Sequence, residues 1–356
     1  MRKERVVVAM SGGVDSSVAA ALLKEKGHDV VGVTMKFWGN DNRCCSDDDL
    51  KDARRVARLL GIPHYNVSLQ ESFKKNVVDY FVSEYRKGRT PNPCAVCNPS
   101  IKFGDLLKKA DELDAGFLAT GHYAVIGYDP EKKRFLLKRG KERGKDQSYF
   151  LARLSQESLS RTLFPIGNFP KSKIRMLARR FGLPVANKAD SQEVCFIPDG
   201  NVSGFIQRRE GTPSPKGPII DREGKTLGFH EGIIGYTIGQ RKGLGIAVGR
   251  PVYVTKIDAD TNTIVIGDES DLYHKRFTAS DPHWISVTGI SKPIRVKVRI
   301  RYRHRPAWAS VKPIGKQKVQ IEFERPQRAI TPGQLAVFYD GDIVVGSAWI
   351  DEILDE

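Results

Sequence analysis

Seven residues near the start of the chain, Ser11-Gly12-Gly13-Val14-Asp15-Ser16-Ser17, have the composition of an anion cradle. Two glycines let the backbone approach an oxyanion closely, and the hydroxyls add donors. A helix starting there would contribute unpaired N–H groups and the positive end of its dipole. No lysine follows the glycines, so this is not a Walker A loop; Gly224-Lys225-Thr226 also fails that pattern, because Ile219 stands at its first glycine position. Asp15 makes little sense beside phosphates unless it holds Mg²⁺ or orients a substrate. The second group is the five cysteines, Cys44, Cys45, Cys94, Cys97 and Cys195. Their odd number in a long chain argues against a secreted disulfide framework and for a reducing compartment, which leaves the thiols for chemistry. Cys97 and Cys195 make sense as a sulfur-handling pair, one thiol carrying sulfane sulfur as a persulfide and the other releasing it by closing a disulfide. Cys44-Cys45 lies in a polar loop before a helix, with no histidine nearby to complete a zinc site.

These groups need a scaffold, and the first third of the chain supplies the pattern of one. Short β-branched runs alternate with helical periods, as in an α/β unit with a doubly wound parallel sheet, through about Ala124. Strands are expected at Arg5 to Met10, Asp29 to Met35 and Tyr65 to Leu69, so the cradle leaves a strand directly. Ser16 or Ser17 is expected to cap the helix that follows, and Gly27 to end it. Leu50, Ala53, Val56, Ala57 and Leu60 share one face of a second helix. From about Gly200 the helical periods fade, and glycine and proline crowd residues 211–218, which marks a boundary. Val337-Phe338-Tyr339 and Ile343-Val344-Val345 around Asp340-Gly341-Asp342 predict a hairpin, within a small β-barrel or sandwich from about Lys275.

The balance of 58 Lys and Arg against 42 Asp and Glu gives a net charge of +16, which suits a polyanionic partner. No stretch approaches the roughly 18 apolar residues that span a bilayer, and the first residues are too short for a signal sequence. No membrane partner and a cytoplasmic location are therefore expected. Along Arg295 to Arg305, strand alternation would put Val296, Val298, Ile300 and Tyr302 on one face and basic residues on the other, facing a phosphate backbone.

The cradle resembles the SGGxDS signature of the ATP pyrophosphatase (PP-loop) superfamily, whose members adenylate a substrate oxygen and release pyrophosphate. The choice within it comes from further blocks: Gly88-Arg89-Thr90-Pro91-Asn92-Pro93-Cys94-Ala95-Val96-Cys97-Asn98 with Ile101-Lys102-Phe103, Thr120-Gly121-His122-Tyr123, and Lys145-Asp146-Gln147-Ser148-Tyr149-Phe150. Asp190-Ser191-Gln192-Glu193-Val194-Cys195-Phe196-Ile197, Thr237-Ile238-Gly239-Gln240-Arg241-Lys242-Gly243-Leu244 and Thr331-Pro332-Gly333-Gln334 complete the set. In joint order over the whole chain they closely resemble the tRNA-specific 2-thiouridylases, the tRNA-uridine 2-sulfurtransferases.

That resemblance implies ATP and Mg²⁺ as cofactors, tRNA rather than DNA as partner, and a sulfur donor protein, either a cysteine desulfurase or an intermediate carrier. It implies adenylation of the C2 oxygen of the wobble uridine in tRNAs for Lys, Glu and Gln, with a persulfide on Cys195, Cys97 as the nucleophile that frees the sulfur or closes the disulfide, and Asp15 completing the catalytic set. Nucleotide contacts are implied at Val8, Ala9, Met10, Ser11, Gly12, Gly13, Val14, Asp15, Ser16, Ser17, Met35 and Gly121. Contacts to tRNA are implied at Asn92, Pro93, Cys94, His122, Lys145, Asp146, Gln147, Arg301, Tyr302, Arg303 and Gln334. The implied architecture is a PP-loop domain over 1–203, a small mixed tRNA-binding domain over 204–274 and a β-barrel over 275–356. His122 and neighbouring basic residues are expected to hold thiolates at lowered pKa. Cys94 stands where some members carry Asp. The resulting Cys-x-x-Cys leaves a second route open, in which Cys94, Cys97 and Cys195 ligate an Fe–S cluster whose open iron holds the sulfur. Two readings compete with thiolation: a nitrogen-transferring PP-loop ligase, which needs neither the cysteine pair nor the basic barrel, and an RNA-binding module with an inactive nucleotide site.

Overall fold

The computed structural model of the protein describes residues 4–37, 47–189, 194–197, 199–211 and 214–354. Its first strand, β1 (Arg5–Ala9), is a run of aliphatic residues whose side chains alternate between two faces. Both faces are covered. Val6, Val8 and Met10 enter one core with α1 (Val14–Glu25), α2 (Asp47–Leu60) and the Lys171–Arg180 helix, while Val7 and Ala9 enter another with the helices between residues 70 and 112. Double burial explains why the strand lacks a polar alternation, as in parallel sheets generally.

The chain passes through α1 to β2 (Asp29–Lys36) and through α2 to β3 (His64–Ser68), then crosses to β4 (Phe117–Ala119) on the far side of β1. After a hairpin of β5 (Ala124–Asp129) and β6 (Arg134–Arg139), β7 (Thr162–Leu163) completes a parallel sheet of order β3-β2-β1-β4-β7. The expected doubly wound sheet is present. Its winding reverses at β1, which opens a crevice beyond the carboxyl ends of β1 and β4, where open α/β sheets hold their ligands. One detail differs from expectation: Gly13, not a serine, is the N-cap of α1. The Ser16 and Ser17 hydroxyls lie inside the first turn and donate back to the Gly13 carbonyl at 3.2 and 2.8 Å, a bond that short hydroxyl side chains readily make in a helix.

The helix Val202–Glu210 continues the helical texture past the expected fading point and ends at Gly211, whose φ of 68° suits a residue without Cβ. Its Ile206 belongs to the first domain's core, and Arg209 pairs with Asp79. A four-stranded sheet follows, built from β8 (Gly217–Ile220), β9 (Thr226–His230), β10 (Tyr253–Asp258) and β11 (Thr263–Gly267) in the order β10-β11-β8-β9. The last unit is antiparallel: β12 (Tyr273–Trp284), β13 (Ile294–Arg299), β14 (Ala307–Ile314), β15 (Lys318–Arg328), β16 (Leu335–Asp340) and β17 (Ile343–Leu354). Pairing of β12 with β17 closes it into the expected barrel around Phe277, Val298, Ile321 and Phe338. The β5–β6 hairpin of the first domain joins this sheet through Lys138 opposite Ile343, and the Arg139 N–H donates to the Asp342 carbonyl at 2.9 Å.

The basic strand alternates as expected from Arg295 to Val298, with Arg295 and Lys297 exposed and Val296 and Val298 buried, and the alternation breaks at its last residue. It stops at Arg299, which is buried, with Nη1 3.2 Å from Asp146 Oδ2. Asp146, 0% exposed, also accepts from Arg139 Nε at 3.0 Å and from the backbone N–H groups of Gly140 and Ser148. A fully buried carboxylate needs such partners, and this one draws Arg299 inward. Among the described residues no helix is long and apolar enough to cross a membrane.

Candidate active site

The cradle and the Thr120-Gly121-His122 turn leave β1 and β4 side by side. Gly12 has φ +71°, and a Cβ there would sit 2.2 Å from the Asp49 carbonyl oxygen. Gly121 is required for a different reason: a Cβ would come within 2.6 Å of Ser16 N and 2.7 Å of Asp15 C, so the β4 turn lies directly against the first turn of α1. The Ser11 N–H donates to Ser16 Oγ at 3.2 Å. Val8, Ala9, Met10, Val14, Ser17 and Met35 are buried beneath this surface. Asp15 is engaged: the Tyr123 hydroxyl donates to its Oδ1 at 2.7 Å, and the Lys171 ammonium reaches both carboxylate oxygens at 2.8 Å. A carboxylate neutralised in this way does not fit the Mg²⁺ expected on it.

The cysteines stand across the same turn. Asn92 caps the five-residue helix Pro93–Cys97 by accepting from the Ala95 N–H at 3.2 Å, and Pro93 takes the first position, where a missing N–H costs nothing. Cys94 is exposed, and Cys97 packs at the edge of the core. Cys195 is exposed, while the next residue, Phe196, anchors it among the rings of Phe81 (5.1 Å), Phe205 (5.4 Å) and Phe73 (5.6 Å). None of the three is in a disulfide. The Cys94 thiol, although it shows a surface to solvent, is walled by protein on its other sides. That burial and then the nearby Cys195 push it up to about 11, against the pull of Lys102.

Lys102 also acts on His122, whose pKa is lowered well below 6.5, first by burial and then by that ammonium. His122 is therefore neutral at physiological pH, with Nδ1 2.7 Å from Thr120 Oγ1, and does not supply the cation expected to stabilise a thiolate. Gly121 thus touches the cradle, His122 beside it shares Lys102 with Cys94, and Cys94 feels Cys195. The cluster reading fares less well: among the described residues no three Cys, His, Asp or Glu side chains are grouped to hold a metal, so the three cysteines do not fit an Fe–S centre as they stand. Cys44, Cys45 and residues 190–193 lie outside the described residues.

Several motif blocks converge on one loop. Gly88, at φ +68°, lies so close to β10 that a Cβ would meet the Ile257 side chain at 3.0 Å. Arg89 donates to Glu84 at 2.8 Å and to the Ile350 carbonyl of β17 at 3.0 Å. Thr90 takes its backbone bond to the Pro332 carbonyl at 2.9 Å, and its hydroxyl lies 3.4 Å from that of Thr237. Gln334 Nε2 donates to the carbonyls of Thr90 and Pro91 at 2.9 and 3.1 Å. This glutamine, expected at the tRNA, fastens the barrel to the residues that lead into the Cys94 helix. Gln334→Ala removes both bonds, at a net cost of about 1 kcal/mol each. A stability loss of about 1–2 kcal/mol in urea unfolding is expected.

Of the other expected RNA contacts, Lys145 and Arg303 lie close enough to Tyr302 to oppose the rise that burial causes in its pKa. The half-buried Tyr302 ring packs 4.5 Å from Phe150. Arg301 turns inward to the Arg328 carbonyl at 2.8 Å, and Arg303 is exposed. Gln147 exchanges two bonds of 2.9 Å with the Tyr123 backbone. Asp146, enclosed as described, leaves no surface for RNA. Sequence reasoning missed Lys171, Tyr123, Lys102 and Phe196 as site residues. The last three stood inside recognised blocks, whereas Lys171 lies 156 positions from its partner in an ordinary basic helix.

Comparison with known proteins agrees over the whole length. The chain matches a tRNA methyl transferase HUP domain over residues 4–199, a tRNA methyl transferase PRC-barrel domain over 203–268 and an aminomethyltransferase β-barrel domain over 274–350. It is 51% identical over 356 residues to tRNA-specific 2-thiouridylase MnmA 1 of Caldanaerobacter subterraneus subsp. tengcongensis, covering 98% of each chain. It is 49% identical over 358 residues to tRNA-specific 2-thiouridylase MnmA of Acetivibrio thermocellus, covering 98% of this chain and 100% of that one. With the protein of the same name from Halothermothrix orenii it shares 48% identity over 356 residues, covering 98% and 99%.

Proposed function

Because the chain belongs to the tRNA-specific 2-thiouridylase family, and so is a tRNA sulfurtransferase, we propose that it replaces the C2 oxygen of a tRNA wobble uridine with sulfur at the expense of ATP. The preferred substrates in this reading are the tRNAs for Lys, Glu and Gln. The phosphates of ATP lie along Ser11 to Ser17, where backbone N–H groups and the start of α1 favour negative charge. Gly121 closes the other side. The target base leaves the stack to enter the crevice. Its C2 oxygen attacks the α-phosphorus and pyrophosphate departs.

The terminal sulfur of a persulfide on Cys195 then attacks C2, and AMP leaves with the oxygen. A thiolate from Cys97 next attacks Sγ of Cys195; a disulfide forms, and the sulfane atom stays on the base as the thione. Two thiols are thereby oxidised as the sulfane sulfur is reduced, and a thiol reductant reopens the pair. Cys94 neighbours this exchange without a step of its own. A donor protein, a cysteine desulfurase or a carrier, loads the exposed Cys195, and the +16 charge favours tRNA. The working units are residues 1–203 for nucleotide chemistry, 204–274 and 275–356 for tRNA.

The observation that supports this reading best is the single turn, Gly121-His122, that lies against the cradle on one side and shares Lys102 with Cys94 on the other. Incubation of unmodified tRNA with ATP, a reductant and a sulfur source should yield 2-thiouridine by nucleoside mass spectrometry, with AMP and pyrophosphate formed only when tRNA is present. Release of AMP without tRNA, or modified tRNA without ATP consumption, would sink the proposal.

A further inference from the structure

The chain that leads to Cys195 is tied down before it changes sides of the molecule. Leu183, Val185 and Ala186 pack with α1 and α2 in the core on one face of the parallel sheet, whereas Phe196 and Ile197 pack in the core on the other. Lys188 stands between the two groups and is held from two directions. Its ammonium donates to Asp49 Oδ1 at 2.7 Å and to Asp52 Oδ2 at 2.6 Å, carboxylates three positions apart on one side of α2. Arg175 of the Lys171–Arg180 helix donates to the carbonyls of Ala186 and Lys188 at 3.1 and 3.3 Å. Both of these helices also touch the cradle. A Cβ on Gly12 would meet the Asp49 carbonyl oxygen at 2.2 Å, and Lys171 reaches Asp15 at 2.8 Å.

Stability is a poor account of this joint. The Lys188, Asp49 and Asp52 side chains keep 32%, 21% and 32% of their surface open, and ion pairs placed like this add little to folding. What two carboxylates around one ammonium do supply is a fixed place, because withdrawing the lysine would leave like charges facing each other along α2. We infer that Lys188 is a positioning residue for sulfur transfer: bridged to Asp49 and Asp52, it sets the segment that carries Cys195 against the helix whose start borders the cradle. This rests on the reading of Cys195 as the sulfur carrier and of Ser11 to Ser17 as the nucleotide site. Sulfur and the adenylated carbon must meet within about 3–3.5 Å to react, so the tie bears on the transfer step and not on adenylation.

Single-turnover kinetics on the whole chain, with tRNA, ATP and Cys195 loaded as the persulfide, test it. Lys188→Gln should slow 2-thiouridine formation by about tenfold or more, since a misplacement of about 1 Å costs on the order of 10²-fold. Pyrophosphate release, and the loading of Cys195 read by alkylation and mass spectrometry, should stay near wild type, which also shows the variant to be folded. Lys188→Arg, whose guanidinium still forks to two carboxylates, should recover most of the rate. Asp52→Asn should slow thiolation in the same way and, combined with Lys188→Gln, add nothing further, because both act through one contact. Equal slowing of pyrophosphate release would put Lys188 in the nucleotide step, and wild-type thiolation by Lys188→Gln would show the segment placed without it. Losses that multiply in the double variant would show the lysine acting elsewhere than on α2. Each of these three results overturns the inference. Thiolation that survives Cys195→Ser would instead remove the sulfur carrier on which the inference stands.

Discussion

Cys195→Ser should lower 2-thiouridine formation by at least about 10³-fold, the scale of losing an essential nucleophile, while pyrophosphate release on tRNA in a single turnover stays near the wild-type rate. A serine hydroxyl cannot take up sulfane sulfur, so the carrier of the proposed relay is lost. Nothing else has cause to change. The residue is exposed, the substitution is nearly isosteric, and the anchor that fixes this part of the chain is the ring of Phe196 against Phe73, Phe81 and Phe205. Rapid-quench measurement of pyrophosphate, paired with mass spectrometry of the digested tRNA, separates the two steps. Thiolation above about a tenth of the wild-type level would show that another group carries the sulfur.

The second large effect is expected from one methyl group. In Gly121→Ala the new Cβ would stand 2.6 Å from Ser16 N and 2.7 Å from Asp15 C, backbone atoms that cannot rotate away. The turn and the head of α1 must separate. Overpacking of this kind costs about 1–3 kcal/mol, which the two cores flanking the sheet can absorb, so the variant should fold. Catalysis is less forgiving, because a displacement of about 1 Å in a positioned site costs on the order of 10²-fold. We expect kcat/KM for ATP to fall by about that factor, and Cys195-bound persulfide, detected by alkylation and mass spectrometry, to load normally. Full activity with ATP would mean that the turn does not bound the nucleotide site.

The parts of the molecule that could be read from sequence are those whose cause is local. Alternating aliphatics gave β1 its two buried faces, Gly27 and Gly61 end α1 and α2 with φ of 87° and 58°, and the hairpin at Asp340-Gly341-Asp342 forms as its turn residues require. The parts that could not be read depend on partners far along the chain. Arg299 has the neighbours of an outward-facing strand residue and turns inward only because Asp146 is buried beside it. His122 looks like a cation for thiols until burial and Lys102 make it neutral. Lys171 carries no local sign of its tie to Asp15. In each case a short-range pattern is overruled by an electrostatic demand that only the folded chain creates.

The loop from Gly88 to Pro91 is touched by β10, by Thr237 and by the barrel through Pro332, Gln334 and Ile350. A barrel grafted from a distant relative would arrive without matching teeth for this gear. Barrel and loop must therefore be inherited together, and drift in either one is felt at the sulfur end of the enzyme before it is felt by the nucleotide.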